Sequence, residues 1–371
     1  MSYRIYLYNT KTKAVHAEIP FSALSYSFVM DEAGSATIEI PIGVPRMDGQ
    51  PLTPDDLFPV RTGVVIERDD ELVWGGILWA YRLNLTNRTI QLSAQGYLSY
   101  WAKRHTGVNG VSFKNMEQTE MIRRFITDAA NSIGTDPSGI TPTNMVRTRT
   151  WNPYEMKPLA DVFADLADDI TSLDLNTGQY GGGFFLYFEP YWITKGVSVG
   201  NRVRNTPDRH PFDSGHNLQQ AVNCEFADIA VDGTTLAGAA YAVGATDGTA
   251  SITPFKSDTN PALNDTMPQV NVVLNENGIK QSSSLQYKVR SALAFGSAPV
   301  HLPTATTFPN LFSPTEFLPG SRVGVTTDDG FLNLVYADYV VTENNVSVAS
   351  DGSDRLSLTL VQSDLFKETE D

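Results

Sequence analysis

The sequence predicts a mainly β protein with an α+β insertion, and three observations carry this prediction. Segments in which apolar and polar residues alternate fill the first hundred residues and return after residue 217. Two segments with helical spacing lie between these regions. A hairpin pattern in the first β region has a counterpart in the last one. Together these features predict two related β-barrel domains that flank the insertion.

Composition limits the classes of protein to consider. A chain of 371 residues is long for a single core, so two or three domains are expected. The net charge of −15 argues against binding to duplex DNA or to anionic lipid, but it lets nucleic acid pass without adhering. The single cysteine, Cys224, excludes an internal disulfide. The sequence contains neither a signal peptide nor a long apolar run, which predicts folding in the cytoplasm without a membrane anchor.

Residues 1–102 are predicted to form the first β-barrel domain. Strands are indicated by "GSATIEIPI" and "TIQLSAQ", in which apolar residues occupy alternate positions. The most aromatic piece is "RDDELVWGGILWAYRLNL", where Asp69 and Asp70 separate "VVIE" from a long strand and so predict a hairpin. Because Leu78 and Ala80 lie between Ile77, Trp79 and Tyr81, both faces of this strand carry apolar groups. We therefore expect one face to meet the core and the other to meet a second subunit or domain.

Residues 103–216 are predicted to form the α+β insertion domain. Helical spacing over 115–133 and over 158–170 indicates two helices, and "GGGFFLYFEPYW" returns to a strand after a glycine turn. The polar segment 200–216, "NRVRNTPDRHPFDSGHN", is expected to be a linker or long loop.

Residues 217–371 are predicted to form the second β-barrel-like domain, with one helix near 282–295 that begins at serines. The segment that starts at Phe317 keeps the order of features of the segment that starts at Phe58. Both have an aromatic residue close to a proline, then an arginine, Gly-Val, an Asp-Asp turn, a strand with tyrosine, and an alternating strand. This order predicts a duplication, and coincidence between two ordinary hairpins is the alternative.

No catalytic, cofactor or metal site is predicted. The sequence has no Gly-x-Ser-x-Gly elbow and no phosphate-binding loop. His210, Asp213 and His216 could be drawn as a metal cluster but lack the spacing of one, and Cys224 is expected to be a small buried residue. The main rival function is glycan binding or cleavage, because carboxylate pairs abound and tryptophans stack on sugars. Burial in the cores is the competing explanation for the same tryptophans, which are Trp74, Trp79, Trp151 and Trp192.

Several stretches, in order along the chain, carry a resemblance to a known family. They are "LSYSFVMDEAGSATIEIPIG", "RTGVVIERDDELVWGGILWAYRLN", "IQLSAQGYLSYWAKR" and "PLADVFADLADD" followed by "GGGFFLYFEP". The chain resembles the minor tail, or baseplate hub, proteins of long-tailed, siphovirus-like bacteriophages. These are related to the hub of contractile tails and to the N-terminal region of tail-associated lysins. Trp-Gly-Gly is the most specific piece, and no single motif is diagnostic.

The resemblance implies tail-tube-like barrels and a structural role at the tail tip. A homotrimer would present six similar barrels around the DNA exit channel, between the hexameric tube end and trimeric tip or fibre proteins. The distal tail protein and the tape-measure protein would be further partners in the virion. Longer relatives append a peptidase or lysozyme-like domain, and this chain stops after the second barrel, so no enzymatic activity is expected. Structural or interface roles are predicted for Trp74, Trp79, Tyr81 and Trp101.

Overall fold

A computed structural model describes residues 2–128, 133–168, 172–174, 180–181, 183–205, 212–247, 250–251, 255–275, 282–328 and 330–363. Strands outnumber helices in every region, so the predicted mainly β class is confirmed. The chain divides into two compact units, Met1–Phe226 with Ala305–Thr359, and Ala227–Thr304 with Leu360–Asp371. The three ranges predicted from sequence character stay a prediction. Among the described residues, no helix is long and apolar enough to cross a membrane.

The strands of the first predicted domain lie in one antiparallel arrangement. They alternate buried and exposed side chains, as Ile38 and Ile40 do on the fourth strand. Their bounds are β1 Tyr3–Asn9, β2 Val15–Ile19, β3 Ala23–Val29, β4 Ser35–Pro41, β5 Thr62–Arg68, β6 Glu71–Asn84 and β7 Thr89–Gly96.

The insertion contains both predicted helices. Each buries the apolar stripe that its sequence spacing indicates, with Met121 and Phe125 on one helix and Val162 and Leu166 on the other. The elements are α1 Leu98–Trp101, β8 Val111–Glu117, α2 Gln118–Asp128, β9 Thr135–Gly139, β10 Met145–Trp151, α3 Leu159–Asp168, β11 Ser172–Asp174, β12 Tyr180–Gly181, β13 Leu186–Thr194 and β14 Ser198–Asn205.

The predicted linker at 200–216 is wrong in its described parts. Val199 and Val203 are buried on β14, and a further strand resumes at residue 212 and pairs in parallel with a strand near residue 321. β14 has too few apolar residues to give a strand pattern in the sequence. Val199 and Val203 pack in the cluster that also contains the buried residues of α2 and α3. Residues 206–211 of the predicted linker lie outside the described residues.

The remaining elements include the predicted helix near 282–295, whose bounds agree with the expectation. They are β15 Phe212–Gln219, β16 Cys224–Asp232, β17 Ala239–Val243, β18 Thr246–Asp247, β19 Ala250–Ser251, β20 Lys256–Thr259, α4 Pro261–Asn264, β21 Asn271–Asn275, α5 Ser282–Phe295, β22 Val300–Thr307, a 3₁₀ turn Pro314–Phe317, β23 Ser321–Thr326, β24 Ala337–Val348 and β25 Asp354–Gln362.

The large sheet of the first unit has the order β25-β24-β3-β4-β7-β6-β5-β1-β2, with β23 paired to β24 and β15 to β23. Among the described strands the order is open, so the prediction of closed barrels is wrong although the β class is right. Both segments of the predicted duplication form three consecutive antiparallel strands. We call β5–β6–β7 the first meander and β23–β24–β25 the second meander. The duplication itself stays a prediction, with this shared strand order in its favour.

The second unit has its own small core. β17 lies between β20 and β21 in a three-stranded sheet. Ala240 and Ala242 of β17 pack against Leu285 and Val289 of α5, and all four side chains are buried. The small alanine side chains let the helix approach the sheet closely, which explains an apolar face with so few large residues.

Candidate functional site: the aromatic hairpin and its anchors

The turn of the first meander is short and tied down. Asp69 and Asp70 form the two-residue connection from β5 to β6 and have φ values of 48° and 74°, the left-handed conformation of a tight hairpin turn. The Asp69 carboxylate accepts a hydrogen bond from the Ser2 amide at 2.8 Å. The Lys195 ammonium donates to Asp70 at 2.9 Å. This hydrogen bond and the positive charge of Lys195 lower the pKa of Asp70.

The Trp-Gly-Gly motif marks a crossing of two strands. Trp74 is buried, and its indole N–H donates to the Ser27 carbonyl oxygen at 3.1 Å. A Cβ atom on Gly75 would lie 2.6 Å from the Tyr97 hydroxyl oxygen and 2.8 Å from Cβ of Pro190 on β13. A Cβ on Gly76 would overlap the Gln95 carbonyl oxygen. Gly75 therefore lets the insertion strand β13 pass directly over β6, whereas Gly76 gives room for the neighbouring strand β7.

The predicted aromatic residues fall into two groups. Trp79 is half-buried and donates from its indole N–H to the Ser99 hydroxyl at 2.8 Å. Trp101 is fully buried, and its ring centroid lies 5.8 Å from that of Phe163 on α3. Both tryptophans pack in one cluster with the helices of the insertion. Trp74 does not belong to that cluster and contacts Ser27 of β3 instead.

The prediction that β6 is covered on both faces holds for only part of the strand. Ile77 and Leu78 are fully buried, whereas Ala80 is exposed and Tyr81 is half-exposed. From Ala80 to Asn84 the strand is mostly exposed. The interface role predicted for Trp74, Trp79, Tyr81 and Trp101 stays a prediction.

A buried carboxylate that the sequence did not reveal lies at the end of β5. Glu67 is 1% exposed, and its oxygens lie 3.2 Å from the indole nitrogen of Trp192 and 3.4 Å from both the Tyr6 hydroxyl and an Arg4 nitrogen. The rings of Tyr6 and Trp192 meet edge to face at 5.2 Å. Glu67 thus ties β1 and the insertion strand β13 to the first meander.

The next residue forms a buried ion pair between the two meanders. The Arg68 side chain is 9% exposed, and its Nε lies 2.7 Å from Oδ2 of Asp354, a carboxylate that is 1% exposed at the start of β25. The Tyr3 hydroxyl donates to the same oxygen at 2.5 Å, and Arg68 also donates to the Phe312 carbonyl at 3.2 Å. Burial lowers the pKa of Arg68, but the negative charge and hydrogen bond of Asp354 outweigh this, and the net shift is upward. For the Tyr3 hydroxyl, which is neutral when protonated, burial raises the pKa.

Two of the side chains that the sequence offered for a metal cluster, His216 and Asp213, contact neighbouring residues instead. His216 Nε2 lies 2.9 Å from Oε2 of Glu316, and Asp213 accepts the Gly215 amide hydrogen bond. His210 lies outside the described residues. In the part of the chain that is described, no three His, Cys, Asp or Glu side chains converge on a point that could hold a metal ion. Cys224 is buried, and burial raises the pKa of its thiol to about 12, which disfavours the reactive thiolate.

The four tryptophans considered for sugar stacking are buried or half-buried. Trp74 and Trp151 are buried, and Trp79 and Trp192 are half-buried with their indole N–H groups engaged by Ser99 and Glu67. A stacking platform needs an exposed ring face. The described geometry therefore favours a packing role for these side chains over the glycan-binding alternative.

Comparison with solved structures identifies the fold. The chain is similar to the 43 kDa tail protein of prophage MuSo2 from Shewanella oneidensis, with a TM-score of 0.64, 11% identity, and coverage of 99% of this chain and 100% of that one. It is similar to the tail protein from Neisseria meningitidis MC58, with a TM-score of 0.65, 12% identity and coverage of 99% and 98%. It is also similar to prophage tail protein gp18 from Listeria monocytogenes EGD-e, with a TM-score of 0.56, 10% identity and coverage of 96% and 94%.

The chain is also similar in fold to a component of a secretion system. The chain is similar to the E. coli c3393 protein, described as a type VI secretion component resembling the phage T4 tail proteins gp27 and gp5, with a TM-score of 0.50, 10% identity, and coverage of 98% and 79%. No protein-family model and no curated protein sequence matches the chain. The likeness to phage tail hub proteins predicted from the sequence is thus confirmed in the fold, over nearly the whole chain.

Proposed function

We propose that this protein is a structural component of a bacteriophage tail tip, a baseplate hub that joins the hexameric tube end to trimeric tip proteins. The observation that carries the proposal is the full-length match in fold to prophage tail proteins. The paired meanders in one sheet add support, because a chain that carries two similar strand sets can present six of them in a trimer.

The proposed assembly is a homotrimer within the virion, formed in the host cytoplasm. Its proposed neighbours are the distal tail protein, the tape-measure protein and a tip or fibre protein. One solved structure of similar fold is a PdpA–VgrG complex from Francisella, with a TM-score of 0.50, 8% identity, and coverage of 100% of this chain and 60% of that one. That complex supports the proposal that this chain contacts other tail components.

The proposed domains are the three ranges predicted from the sequence, which are 1–102, 103–216 and 217–371.

The proposed hub lines the channel through which DNA leaves. The support is electrostatic, since a net charge of −15 repels the phosphate backbone and prevents adhesion during passage. The proposed role involves no enzymatic step. In keeping with it, the thiol Cys224 is buried and the carboxylates Glu67 and Asp354 bind neighbouring strands.

The decisive experiment is measurement of mass and symmetry. Light scattering of the pure chain should give the mass of three chains. If the trimer forms only with a partner, the mixture with the distal tail protein of the same phage should give the mass of three chains plus that protein. Averaged electron micrographs of that complex should show a ring with a central opening. A monomer in both samples, or a complex without a threefold axis, would refute the hub.

Absence of hydrolysis is tested separately. Pure protein incubated with peptidoglycan or capsule should release no soluble fragments over the background of heat-denatured protein. Turnover that disappears on replacement of a single Asp or Glu would establish an enzyme and favour the glycan-cleaving alternative.

A further inference from the structure

One side of the large sheet in the first unit carries polar side chains over five neighbouring strands, β24, β3, β4, β7 and β6. Alternate residues of these strands fill the core on the other side, where Leu24, Ile38 and Leu92 are at most 3% exposed. The residues between them form a surface that we call the polar face. Its central row follows the cross-strand register and consists of Ser347, Ser25, Thr37, Ser93 and Ala80. All of these are exposed except Thr37, which is half-buried.

Two further rows complete the polar face. One row consists of Ala23, Glu39, Gln91 and Arg82. The other row consists of Asn345, Ser27, Ser35 and Gln95. Glu39 is the one carboxylate of the three rows and Arg82 is the one guanidinium. The polar face therefore has no net charge, in a chain whose net charge is −15.

The polar face has the wrong side chains for a protein-binding surface. The energy of such a surface is concentrated in tryptophan, tyrosine and arginine side chains that lie among apolar neighbours. The three rows contain no aromatic side chain, no aliphatic side chain larger than that of alanine, and Arg82 as their one arginine. The central row offers only hydroxyl and methyl groups. A partner protein that covered this face would gain little from it.

The same side chains suit a wall past which a polyanion slides. Duplex DNA carries one phosphate charge per roughly 1.7 Å of its axis, so it presents about eleven charges over the roughly 19 Å that five strands span. Holding it would take several cations, and Arg82 shares its row with Glu39. Since charges more than about 8 Å away are largely screened at physiological salt, the side chains of the wall itself decide whether DNA adheres.

We propose that the polar face is the wall of the DNA channel, and that DNA passes because this face offers it no net positive charge and only short uncharged groups at its centre. The proposal rests on the proposed function and adds to it which surface meets the DNA. The polar face draws on both meanders, with β6 and β7 from the first and β24 from the second. A trimer therefore presents strands of both meanders to the channel.

The test places positive charges on the polar face of the assembled full-length chain. The variant Ser25→Lys, Ser93→Lys adds two lysines at exposed positions of each chain. The ring is formed first, with the distal tail protein of the same phage where the chain requires it, and is then immobilised. A plasmid is added either as a closed circle or after linearisation. A linear duplex can thread a preformed ring from its end, whereas a closed circle cannot.

The parent ring should retain neither form of the plasmid. The lysine ring should retain the linear form and not the closed circle, and its affinity should fall about a thousandfold between about 50 and 200 mM salt, as for six phosphate contacts. The matched control is Thr12→Lys, Thr127→Lys, which adds the same charge at exposed positions outside the polar face. Any DNA that the control ring holds should be held equally in the linear and closed forms.

A second variant adds the charge only after folding and assembly. Ser93→Cys keeps a small side chain at the centre of the polar face, and 2-aminoethyl methanethiosulfonate then converts its thiol to a disulfide that ends in an ammonium group. The native Cys224 is buried, so the parent ring should not react and serves as the control. The treated Ser93→Cys ring should retain linear plasmid in preference to the closed circle.

Three outcomes would overturn the proposal and leave the hub standing. Equal retention of linear and closed plasmid by the lysine ring would place the polar face on the outside. Retention of neither form by the lysine ring and by the treated Ser93→Cys ring would show that DNA does not reach this face. Loss of the ring in the lysine variant, with no reaction of the cysteine in the assembled Ser93→Cys ring, would assign the face to a contact between chains. A parent chain that forms no ring in any sample would refute the hub itself, and the channel wall with it.

Discussion

The first and second meanders have the same strand order but differ in the connection between their first two strands. β5 and β6 are joined by Asp69 and Asp70 alone, whereas β23 and β24 are joined by the ten residues 327–336. The acidic pair of the second segment therefore does not form the predicted tight turn. Asp328 is the second residue of this long connection, and Asp329 lies outside the described residues.

The partners of the middle strands also differ. Among the described strands, β6 pairs with β5 and β7 alone. The twelve-residue β24 pairs with β25, with β23 through residues 337–340, and also with β3 through residues 343–348. The β3–β4 hairpin thus lies between the meanders in the sheet. The pairing of β24 with β3 fixes the register of the second meander without help from a tight turn. The connection between β23 and β24 can therefore be long.

The long connection exposes apolar side chains that the short turn lacks. Phe331 is 91% exposed, Val335 71% and Tyr336 72%. In the first meander the turn residue Asp70 is held by Lys195 of the insertion. One meander therefore uses its turn to hold the insertion in place, and the other presents an apolar surface, which is typical of a contact site.

The largest expected effect comes from breaking the ion pair between the meanders. Asp354→Ala leaves the guanidinium of Arg68 buried without its carboxylate and should lower the free energy of unfolding by about 3–5 kcal/mol. Urea unfolding followed by tryptophan fluorescence measures this change. The reverse variant, Arg68→Met, should cost a similar amount, because Asp354 is the more deeply buried partner.

The control is the double variant Arg68→Met, Asp354→Leu. Replacing both charges with apolar groups of similar size removes the unpaired charge and should recover most of the lost stability. If each single variant instead unfolds like the parent, the pair does not hold the meanders together. The comparison would then reduce to two independent hairpins.

The next effect separates packing from surface roles in the first meander. Trp79→Ala should lower the free energy of unfolding by about 2 kcal/mol, less than for a fully buried tryptophan because the ring is half-buried. It should also reduce assembly with tail partners. Trp79→Phe retains the ring contacts while losing the Ser99 hydrogen bond, and should cost about 1 kcal/mol. An unchanged melting temperature with loss of binding to a soluble glycan would establish a sugar platform.

Elements set by local pattern could be predicted from the sequence. The alternation of Ile38 with Ile40, the stripe of α2 and the turn at Asp69 each carry their own signal in a few residues, and the structure has a strand, a helix and a hairpin there. The Trp-Gly-Gly motif could be recognised in the sequence, but the reason why glycine is needed there could not. Gly75 is required by Pro190, a residue 115 positions away in the chain.

Elements set by distant partners could not be predicted. Arg68 and Asp354 are separated by 286 positions, and neither lies in a pattern that indicates burial or pairing. The strand β14 has only Val199 and Val203 as buried apolar residues, so its sequence resembles a polar loop. Closure of a barrel depends on how strands at the sheet ends meet, which no local alternation specifies.

A smaller effect tests whether the short turn is electrostatically anchored. The pKa of Asp70 is lowered in the folded chain by Lys195, so its contribution is present above the unfolded-state pKa and is lost as pH falls through the folded-state value. Asp70→Asn should therefore reduce the melting temperature at pH 7 slightly, and the difference from the parent should disappear at acid pH, once the carboxyl is protonated in the folded chain as well. The matched variant in the other meander is Asp328→Asn, for which the described residues provide no ion pair. A pH-independent difference for Asp70→Asn would assign its effect to turn geometry instead.

The smallest effect on stability, and the sharpest test of the comparison, comes from the long connection. Phe331→Ser should change the free energy of unfolding by no more than about 0.5 kcal/mol, because the ring is almost fully exposed and little packing is lost. It should nevertheless weaken association with tail components, measured by light scattering, because an exposed aromatic ring contributes most when a partner covers it. Leu85→Ser is the control, since Leu85 is 77% exposed at the turn between β6 and β7 of the first meander. Equal loss of association in both variants would indicate general loss of apolar surface. A destabilisation above about 1.5 kcal/mol for Phe331→Ser would show that the connection belongs to the core, and the two meanders would then differ in length of turn and not in role.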